Sequence, residues 1–437
     1  MNIVLLSGGS GKRLWPLSND VRSKQFIKFF KSEDGYKSMI QRMYSQIKFV
    51  DPEANVTIAT SKSQVSSIYN QLNDNVSVSV EPCRRDTFAA IALATAYLHD
   101  VKKVNKDEAV VVCPVDPYVG RKYFETLNQL YLEACKGDSK LILMGIKPTY
   151  PSEKYGYIKI ENSCSEKKYS FTEKPSKEKA EEYIKNGALW NGGVFAYKLS
   201  YVLEKSRELL GTSDYDELLK NYSKLNKISF DYAVVEQENS IDVVQYDGQW
   251  KDLGTWNTLT EALDDKTIGN VTLSDDCENV HVINELNIPV IAMGMSNVVI
   301  GASPDGILVS DKNKSSYIKP YVEKVSSQVM YADKSWGTYR VLFVGPESMT
   351  ILVSLNHGEK MNYHSHDRRS EVWNVINGSG TVVINGEITS VKCGDVIPLP
   401  TGSKHTVKAG EEGIQLIEVQ FGKDIDVTDK KKYDLPF

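Results

Sequence analysis

Apolar and polar positions in the first half of the chain alternate between two textures. Short apolar runs at residues 2–7, 56–60, 76–80, 109–113 and 141–144 read as buried strands. Between them lie helix-like stretches at 38–48, 62–72, 87–100 and 122–135. The clearest is 87–100, where Asp86 or Thr87 can cap the start and Ala, Ile and Leu fill the interior. Residues 176–186 form a charged helix with an exposed face. Strands alternating with helices predict βαβ units and a mostly parallel sheet covered on both faces.

From about residue 266 the texture changes. Short β-rich runs at 271–273, 280–283, 290–292, 298–300 and 307–309 are separated by Asn, Asp and Gly, and a helix-like segment follows at 313–328. From 335 to 422 nearly everything reads as strand and turn. No low-complexity linker intervenes, so the parts should pack against one another.

Composition narrows the class. The 437 residues suffice for two or three domains, each with its own core. A net charge of −5 gives no general pull toward nucleic acid or a membrane surface, so any anion must be held by a local cluster. No apolar run is long enough to span a bilayer, and the apolar start at 3–6 is too short for a signal peptide. The six cysteines (83, 113, 135, 164, 277, 393) form no C-x-x-C pair. Cys113 and Cys393 sit in apolar surroundings and read as buried fillers. A reduced, cytoplasmic protein is the expectation.

The first strand empties into Leu6-Ser7-Gly8-Gly9-Ser10-Gly11-Lys12-Arg13-Leu14-Trp15-Pro16-Leu17. Glycines let backbone N–H groups turn in on an anion, and the two cations add charge. A P-loop would need glycine at 6 and Ser or Thr at 13, and a dinucleotide fingerprint would need glycine at 14. Two further groups point to phosphate chemistry by themselves, and a third, around Asp252, takes its meaning only from a family resemblance. Glu81-Pro82-Cys83-Arg84-Arg85-Asp86-Thr87 joins a strand to a helix N-terminus. Asp116 follows a central strand, where a carboxylate suits the Mg²⁺ that accompanies a nucleoside triphosphate. Asp252 lies in Trp250-Lys251-Asp252-Leu253-Gly254-Thr255-Trp256.

In order and spacing, these segments resemble the sugar-nucleotide pyrophosphorylases. The match runs through Trp15-Pro16-Leu17-Ser18 to Lys24-Gln25-Phe26, and through the Glu-Pro-x-x-Arg-Asn-Thr segment, with Asp86 in place of Asn. The resemblance implies that Leu6, Gly8, Gly9, Gly11, Lys12, Glu81, Arg85 and Thr87 bind nucleotide. It makes Arg13, Lys24, Asp116 and Asp252 the catalytic group, with Asp116 and Asp252 holding Mg²⁺. Lys154-Tyr155-Gly156-Tyr157-Ile158, Phe171-Thr172-Glu173-Lys174-Pro175 and Trp190-Asn191-Gly192-Gly193 resemble the sugar-phosphate segments, assigning that role to Gly156, Glu173, Lys174 and Asn191. Phe230-Asp231-Tyr232-Ala233-Val234-Val235-Glu236 also matches a family segment.

Four of the six histidines (357, 364, 366, 405) crowd one C-terminal stretch. Alternate residues on a strand share a face, so His364 and His366 can meet one metal, and Glu371 and His405 on neighbouring strands can complete the set. The spacing from Gly358 through Glu371 to Gly378, and from Gly394 to His405, fits both cupin motifs, with Ala409 where the second usually ends in Asn. A divalent Zn, Mn, Fe or Ni ion is expected there; the alternative is a metal-free barrel.

The whole chain is identified as resembling the mannose-1-phosphate guanylyltransferase / type II mannose-6-phosphate isomerase family. The implied fold is α/β: a doubly wound, Rossmann-like nucleotidyltransferase domain at 1–265, a β-rich connector with a terminal helix at 266–330, and a C-terminal cupin β-barrel at 331–437. The implied reaction is GTP plus mannose 1-phosphate to GDP-mannose and pyrophosphate, the partners being a nucleoside triphosphate and a sugar 1-phosphate, with the chain a homodimer. Lys12, Ser23, Pro117 and Gly192 depart from the usual guanylyltransferase residues, which keeps another base or sugar open. Two residues inserted before Glu371 and a changed tail leave isomerase activity open. A non-catalytic sugar-nucleotide sensor with the cupin as a dimerisation module is the remaining alternative.

Overall fold

A computed structural model describes the chain except residues 10, 20, 154, 163–166, 326–328, 424, 426–428 and 435–437. Lys154 and Cys164 therefore lie outside the described residues. All five predicted N-terminal strands form: Asn2–Ser7, Asn55–Ser61, Ser77–Glu81, Ala109–Pro114 and Leu141–Ile146. So do helices Met39–Val50, Val65–Leu72, Asp86–Ala96, Arg121–Lys136 and Lys177–Lys185. The predicted helix 87–100 stops at Ala96 and runs on as one π turn, Tyr97–Val101.

Asn2–Ser7 pairs in parallel with Asn55–Ser61 on one side and Ala109–Pro114 on the other. Its alternate side chains enter opposite layers. Ile3 and Leu5 pack with residues of helices Met39–Val50 and Arg121–Lys136, while Val4 packs with those of Asp86–Ala96. Ala109–Pro114 repeats this, with Val111 and Cys113 in one core and Val110 and Val112 in the other. Each such fully buried aliphatic side chain contributes about 1.5–3 kcal/mol, which is why a continuous apolar run here means a two-sided strand.

The sheet is more mixed than the alternation predicts. Leu189–Lys198 lies antiparallel to Ala109–Pro114, Leu141–Ile146 and Tyr157–Asn162. Its pairing with Leu141–Ile146 breaks between Asn191 and Phe195, a bulge at the Gly192-Gly193 pair. The segment thus belongs to a strand, and the glycines mark where that strand bends.

Beyond residue 266 the short strands stack in parallel. Thr267–Ile268 pairs with His281–Asn284, which pairs with Val298–Ser303, and Val271–Leu273 pairs with Val290–Ala292. This is a short solenoid around Val280, Val282, Ala292 and Ile300. The predicted helix 313–328 does not form as one helix over its described residues, 313–325. A 3₁₀ turn, Ser315–Tyr317, gives way to a four-residue helix, Lys319–Val322. Pro320 explains the break, because proline fits the first turn of a helix and not its interior.

The C-terminal part is an antiparallel barrel. Its longest strands, Arg369–Ile384 and His405–Gly422, pair along most of their length around buried Trp373, Val407 and Leu416. Gly378 (φ +72°) is required there: a Cβ would lie 2.2 Å from the Gly413 carbonyl. Cys113 is buried as predicted, but Cys393 is exposed, on the turn after Glu387–Lys392. Val391 and Ile397 nearby face inward, while the turn itself and Val396 face water.

The three parts pack together. Trp256 Nε1 donates to the Trp15 carbonyl (3.1 Å), and Gly301 and Gly306 lie so close to the Trp256 and Trp15 rings that a Cβ would sit 2.6–2.7 Å away. Asn70 donates to the carbonyls of Lys334 and Gly337 at the barrel's entry. No helix among the described residues is long and apolar enough to cross a membrane.

Candidate active site and candidate metal centre

Strand Pro117–Val119 pairs antiparallel with Trp250–Asp252, setting Asp252 opposite Pro117 and beside Asp116. Lys24, which opens the 3₁₀ turn Lys24–Phe26, reaches both carboxylates. Its Nζ lies 2.9 Å from Asp116 Oδ2 and 3.7 Å from Asp252 Oδ1. Burial disfavours the ammonium, but the two carboxylates outweigh it and raise Lys24 above its ordinary value. Burial also pushes the Asp252 carboxyl up; Lys24 works against that, and Asp116 adds to it by like-charge repulsion. Arg13 is exposed near this group and acts on it through its field. All four predicted catalytic side chains therefore meet at the carboxyl end of the sheet, although they come from positions up to 239 residues apart.

The glycine loop borders them. A Cβ on Gly8 or Gly9 would meet nothing within 4 Å, and Gly9 has φ +120°, so the backbone lies bare toward open space. Lys12 and Arg13 sit in the 3₁₀ turn Gly11–Leu14, and the Leu6 carbonyl accepts from Val115 N–H (3.2 Å). In the next segment the two arginines take different partners. Arg85 donates to the Ser223 carbonyl, away from the loop. Arg84 donates to the Gly9 carbonyl (3.0 Å) and is the arginine that touches the glycine loop. Glu81 accepts from the Tyr222 hydroxyl (3.0 Å), and burial raises its carboxyl. The Thr87 hydroxyl accepts from Phe230 N–H (2.8 Å). Glu81, Arg85 and Thr87 each thus hold a partner within the protein. Which arginine meets which carbonyl depends on where the Gly9 and Ser223 segments fold.

An open cleft of about 220 Å³ adjoins Asp116 and Asp252, lined among others by Gly156, Glu173, Asn191 and Asp231. Lys174 (φ +44°) turns its Nζ to 2.5 Å from Glu173 Oε1. A Cβ on Gly156 would fall 2.5 Å from Glu173 Oε2 and from the Phe171 ring. Asn191 donates to Asp231 Oδ1 (2.6 Å) and accepts from Gly193 N–H (3.1 Å), which fixes its amide orientation. Asp231 had no stated role in the sequence reading. Burial, then the nearby Glu173 carboxylate, pushes its carboxyl up to about 6, against the Asn191 bond and Lys174. Two carboxylates, an amide and a lysine around one opening suit a ligand that is part polyol and part anion.

In the barrel, His364, His366 and His405 are buried with one ring nitrogen of each within 4.8 Å of the others. Each Nδ1 meets a backbone carbonyl: Asn362 (2.7 Å), Asp429 and Ser403 (2.9 Å). Those carbonyls make Nδ1 the protonated nitrogen and turn a lone pair on Nε2 inward, the state a metal needs. His405 Nε2 is buried with no hydrogen-bond partner. Burial pushes the His364 imidazole down to about 2, so it stays neutral. Glu371 is not a fourth member of the mutually close set. It lies 3.1 Å from His366 Nε2 and 3.4 Å from His405 Nε2, and its oxygens accept from Arg369 Nε, Gln420 Nε2 and Trp373 Nε1. Acceptor facing acceptor across about 3 Å is an arrangement that a cation relieves, and Arg369 Nη2, 3.1 Å from His366 Nε2, supplies one such charge.

A bare glycine loop, paired carboxylates and a polar cleft at the carboxyl end of an α/β sheet fit a transferase of phosphorylated groups. The chain belongs to the nucleotidyl transferase family, whose model matches residues 2–268. Residues 323–434 match the model described as mannose-6-phosphate isomerase C-terminal. The chain is 28% identical to a mannose-1-phosphate guanylyltransferase of Salmonella montevideo, over 96% of this chain and 95% of that one. It is also 28% identical to a mannose-1-phosphate guanylyltransferase of Escherichia coli strain K12, covering 98% and 97%. A solved structure described as a mannose-1-phosphate geranyltransferase from Thermus thermophilus aligns with TM-score 0.61 at 28% identity, covering 74% of this chain and 98% of that one.

Proposed function

We propose that this nucleotidyltransferase joins GTP and mannose 1-phosphate to give GDP-mannose and pyrophosphate, with residues 1–265, 266–330 and 331–437 as its three domains. The observation that carries the reading is the meeting of Lys24, Asp116 and Asp252 between the bare glycine loop and the polyol cleft. The relatives that span nearly the whole chain support the choice of base and sugar.

Gly8, Gly9 and Gly11 offer backbone N–H groups to the triphosphate, and Lys12, Arg13 and Arg84 add positive charge along it. Glu173 and Asp231 accept from sugar hydroxyls, Asn191 adds its amide, and Lys174 meets the sugar phosphate. A phosphate oxygen of the sugar phosphate then attacks the α-phosphorus in line, forming one P–O bond as the bond to the leaving pyrophosphate breaks. No covalent enzyme intermediate is needed.

Asp116 and Asp252 suit a hard divalent cation such as Mg²⁺, because two neighbouring carboxylates already draw the Lys24 ammonium in as counter-charge. When bound, that ion neutralises phosphate oxygens and aligns them. The three inward Nε2 atoms of the barrel, one of them orphaned, fit a second divalent ion of the Zn, Mn, Fe or Ni type.

The test is pyrophosphate release with Mg²⁺, crossing four nucleoside triphosphates against a panel of sugar 1-phosphates. Turnover concentrated on GTP with mannose 1-phosphate is expected; turnover with another pair keeps the chemistry and replaces the substrates. Silence across the panel with retained nucleotide binding favours a sensor. The histidine cluster supports a second reading, isomerisation of fructose 6-phosphate to mannose 6-phosphate in the barrel. A coupled assay on the metal-loaded full chain tests it, and no product would refute it.

A further inference from the structure

Lys24 follows residues 15–19 and 21–23, which among the described residues form no strand or helix. Lys24 itself touches Asp116, Asp252 and the Leu253 carbonyl, while Asn19 and Arg22 just before it contact parts of the chain far outside the nucleotidyltransferase sheet. Arg22, two residues before Lys24, is buried at the junction of all three parts. Its guanidinium forks onto Glu285 of the solenoid, Nη1 to Oε2 at 2.6 Å and Nη2 to Oε1 at 3.0 Å. It lies 3.8 Å from Asp333 and 5.0 Å above the Tyr331 ring, both on the barrel's entry strand Tyr331–Lys334. Nη1 also reaches back to the Leu17 carbonyl (3.4 Å).

Asn19 repeats the bridge. Its side chain donates to Asp305 Oδ2 (2.7 Å) and the Tyr331 carbonyl (3.3 Å) while accepting from the N–H groups of Val21 and Arg22. On the other side of Arg22, Ser23 donates to the Gly9 carbonyl (3.3 Å) and accepts from Gln64 (2.7 Å). One short stretch therefore touches the glycine loop, the catalytic lysine, the solenoid and the barrel.

We propose that Arg22 is a positioning residue for nucleotidyl transfer: through Glu285 and Asp333 it anchors the catalytic loop to the solenoid and barrel and so aims Lys24. The inference rests on the assignment of Lys24 made above. A bidentate Arg–carboxylate fork constrains direction as well as distance, which a lysine cannot do. Loss of the fork lets the Lys24 backbone shift, and a shift of about 1 Å at a charge-stabilising group costs up to about 100-fold in rate.

The experiment is a double-mutant cycle on the full chain with Lys24→Ala, Arg22→Met and the pair, reading kcat and KM for pyrophosphate release. Arg22→Met should lower kcat about tenfold or more while nucleotide KM stays within about twofold, because ground-state binding rests on the glycine loop. Arg22→Lys should recover only part of the loss. In the Lys24→Ala background the Arg22 substitution should add nothing further, an outcome that general loosening of the fold would not give. A normal kcat in Arg22→Met, or losses that multiply in the double variant, overturns the proposal. Should Arg22→Met not fold, Glu285→Gln and Asp333→Asn take its place under the same two criteria. Full activity in Lys24→Ala would instead refute the reading of the site itself, so the two failures are told apart.

Discussion

Asp231 offers a sharp test of the cleft proposed to hold the sugar phosphate. It sits on the one-turn helix Phe230–Ala233, accepts from Asn191 Nδ2 at 2.6 Å, and shares its surroundings with Glu173. Burial first, and Glu173 second, lift its carboxyl from 3.8 to about 6. A carboxyl whose folded value is raised is easier to ionise in the unfolded chain. Between about pH 4 and 6 the folded protein therefore holds more protons, and stability falls as pH rises through that window and stays lost above it. The gap corresponds to at most ~3 kcal/mol, since each tenfold step is worth about 1.4 kcal/mol. Asp231→Asn keeps an oxygen for Asn191 and cannot ionise, so it should stabilise the ligand-free protein by about 1–3 kcal/mol at pH 8 and not at all at pH 4. Each kcal/mol moves the thermal midpoint by about 2–4 °C in a domain of this size. The assay is the midpoint of wild type and variant from pH 4 to 8, without sugar or metal. The same variant should raise KM for the sugar 1-phosphate about tenfold, the loss of one charged acceptor for a hydroxyl. Parallel melting curves across the pH range, or a variant that melts lower at pH 8, would refute the argument.

Other expectations follow from the same geometry. Lys24→Ala and Asp252→Ala should each lower kcat for pyrophosphate release by about 100-fold or more, as for loss of a group that offsets developing charge; a rate within threefold or so of wild type would remove them from the catalytic group. Gly156→Ala places a methyl 2.5 Å from Glu173 Oε2 and the Phe171 ring. Displacing them should cost about 1–3 kcal/mol, read as a higher sugar-phosphate KM with unchanged nucleotide KM. His405→Ala should abolish the barrel's bound divalent ion in metal analysis of the purified chain while nucleotidyl transfer with added Mg²⁺ persists. Undiminished metal content would show that the histidine cluster is not the binding site.

Periodicity made the two-sided strands legible, because a run such as Val110-Val111-Val112 can be buried only if both of its faces are covered. Chemistry at strand ends was legible too: Gly8 and Gly9 before two cations, and Asp116 after a central strand, carry meaning without knowledge of their partners. The i, i+2 spacing of His364 and His366 was equally local, and the barrel brings His405 to them. The helix expected at 313–328 fails at Pro320, a signal present in the sequence and outweighed by the surrounding pattern. Other features had no local signal. The antiparallel course of Leu189–Lys198 depends on which neighbours it meets, and the exposure of Cys393 depends on how the barrel closes. That Arg84 meets the Gly9 carbonyl and Arg85 the Ser223 carbonyl depends on where the Gly9 and Ser223 segments fold. Arg22 reads as a surface cation until Glu285 and Asp333, more than 260 residues away, are folded against it. Element types, strand ends and ligand spacings could be read along the chain, because backbone propensity and side-chain period act over a few residues. Which charges meet was left to the folded molecule, because Coulomb and hydrogen-bond partners are chosen by packing, and packing joins residues that no window of the chain contains together.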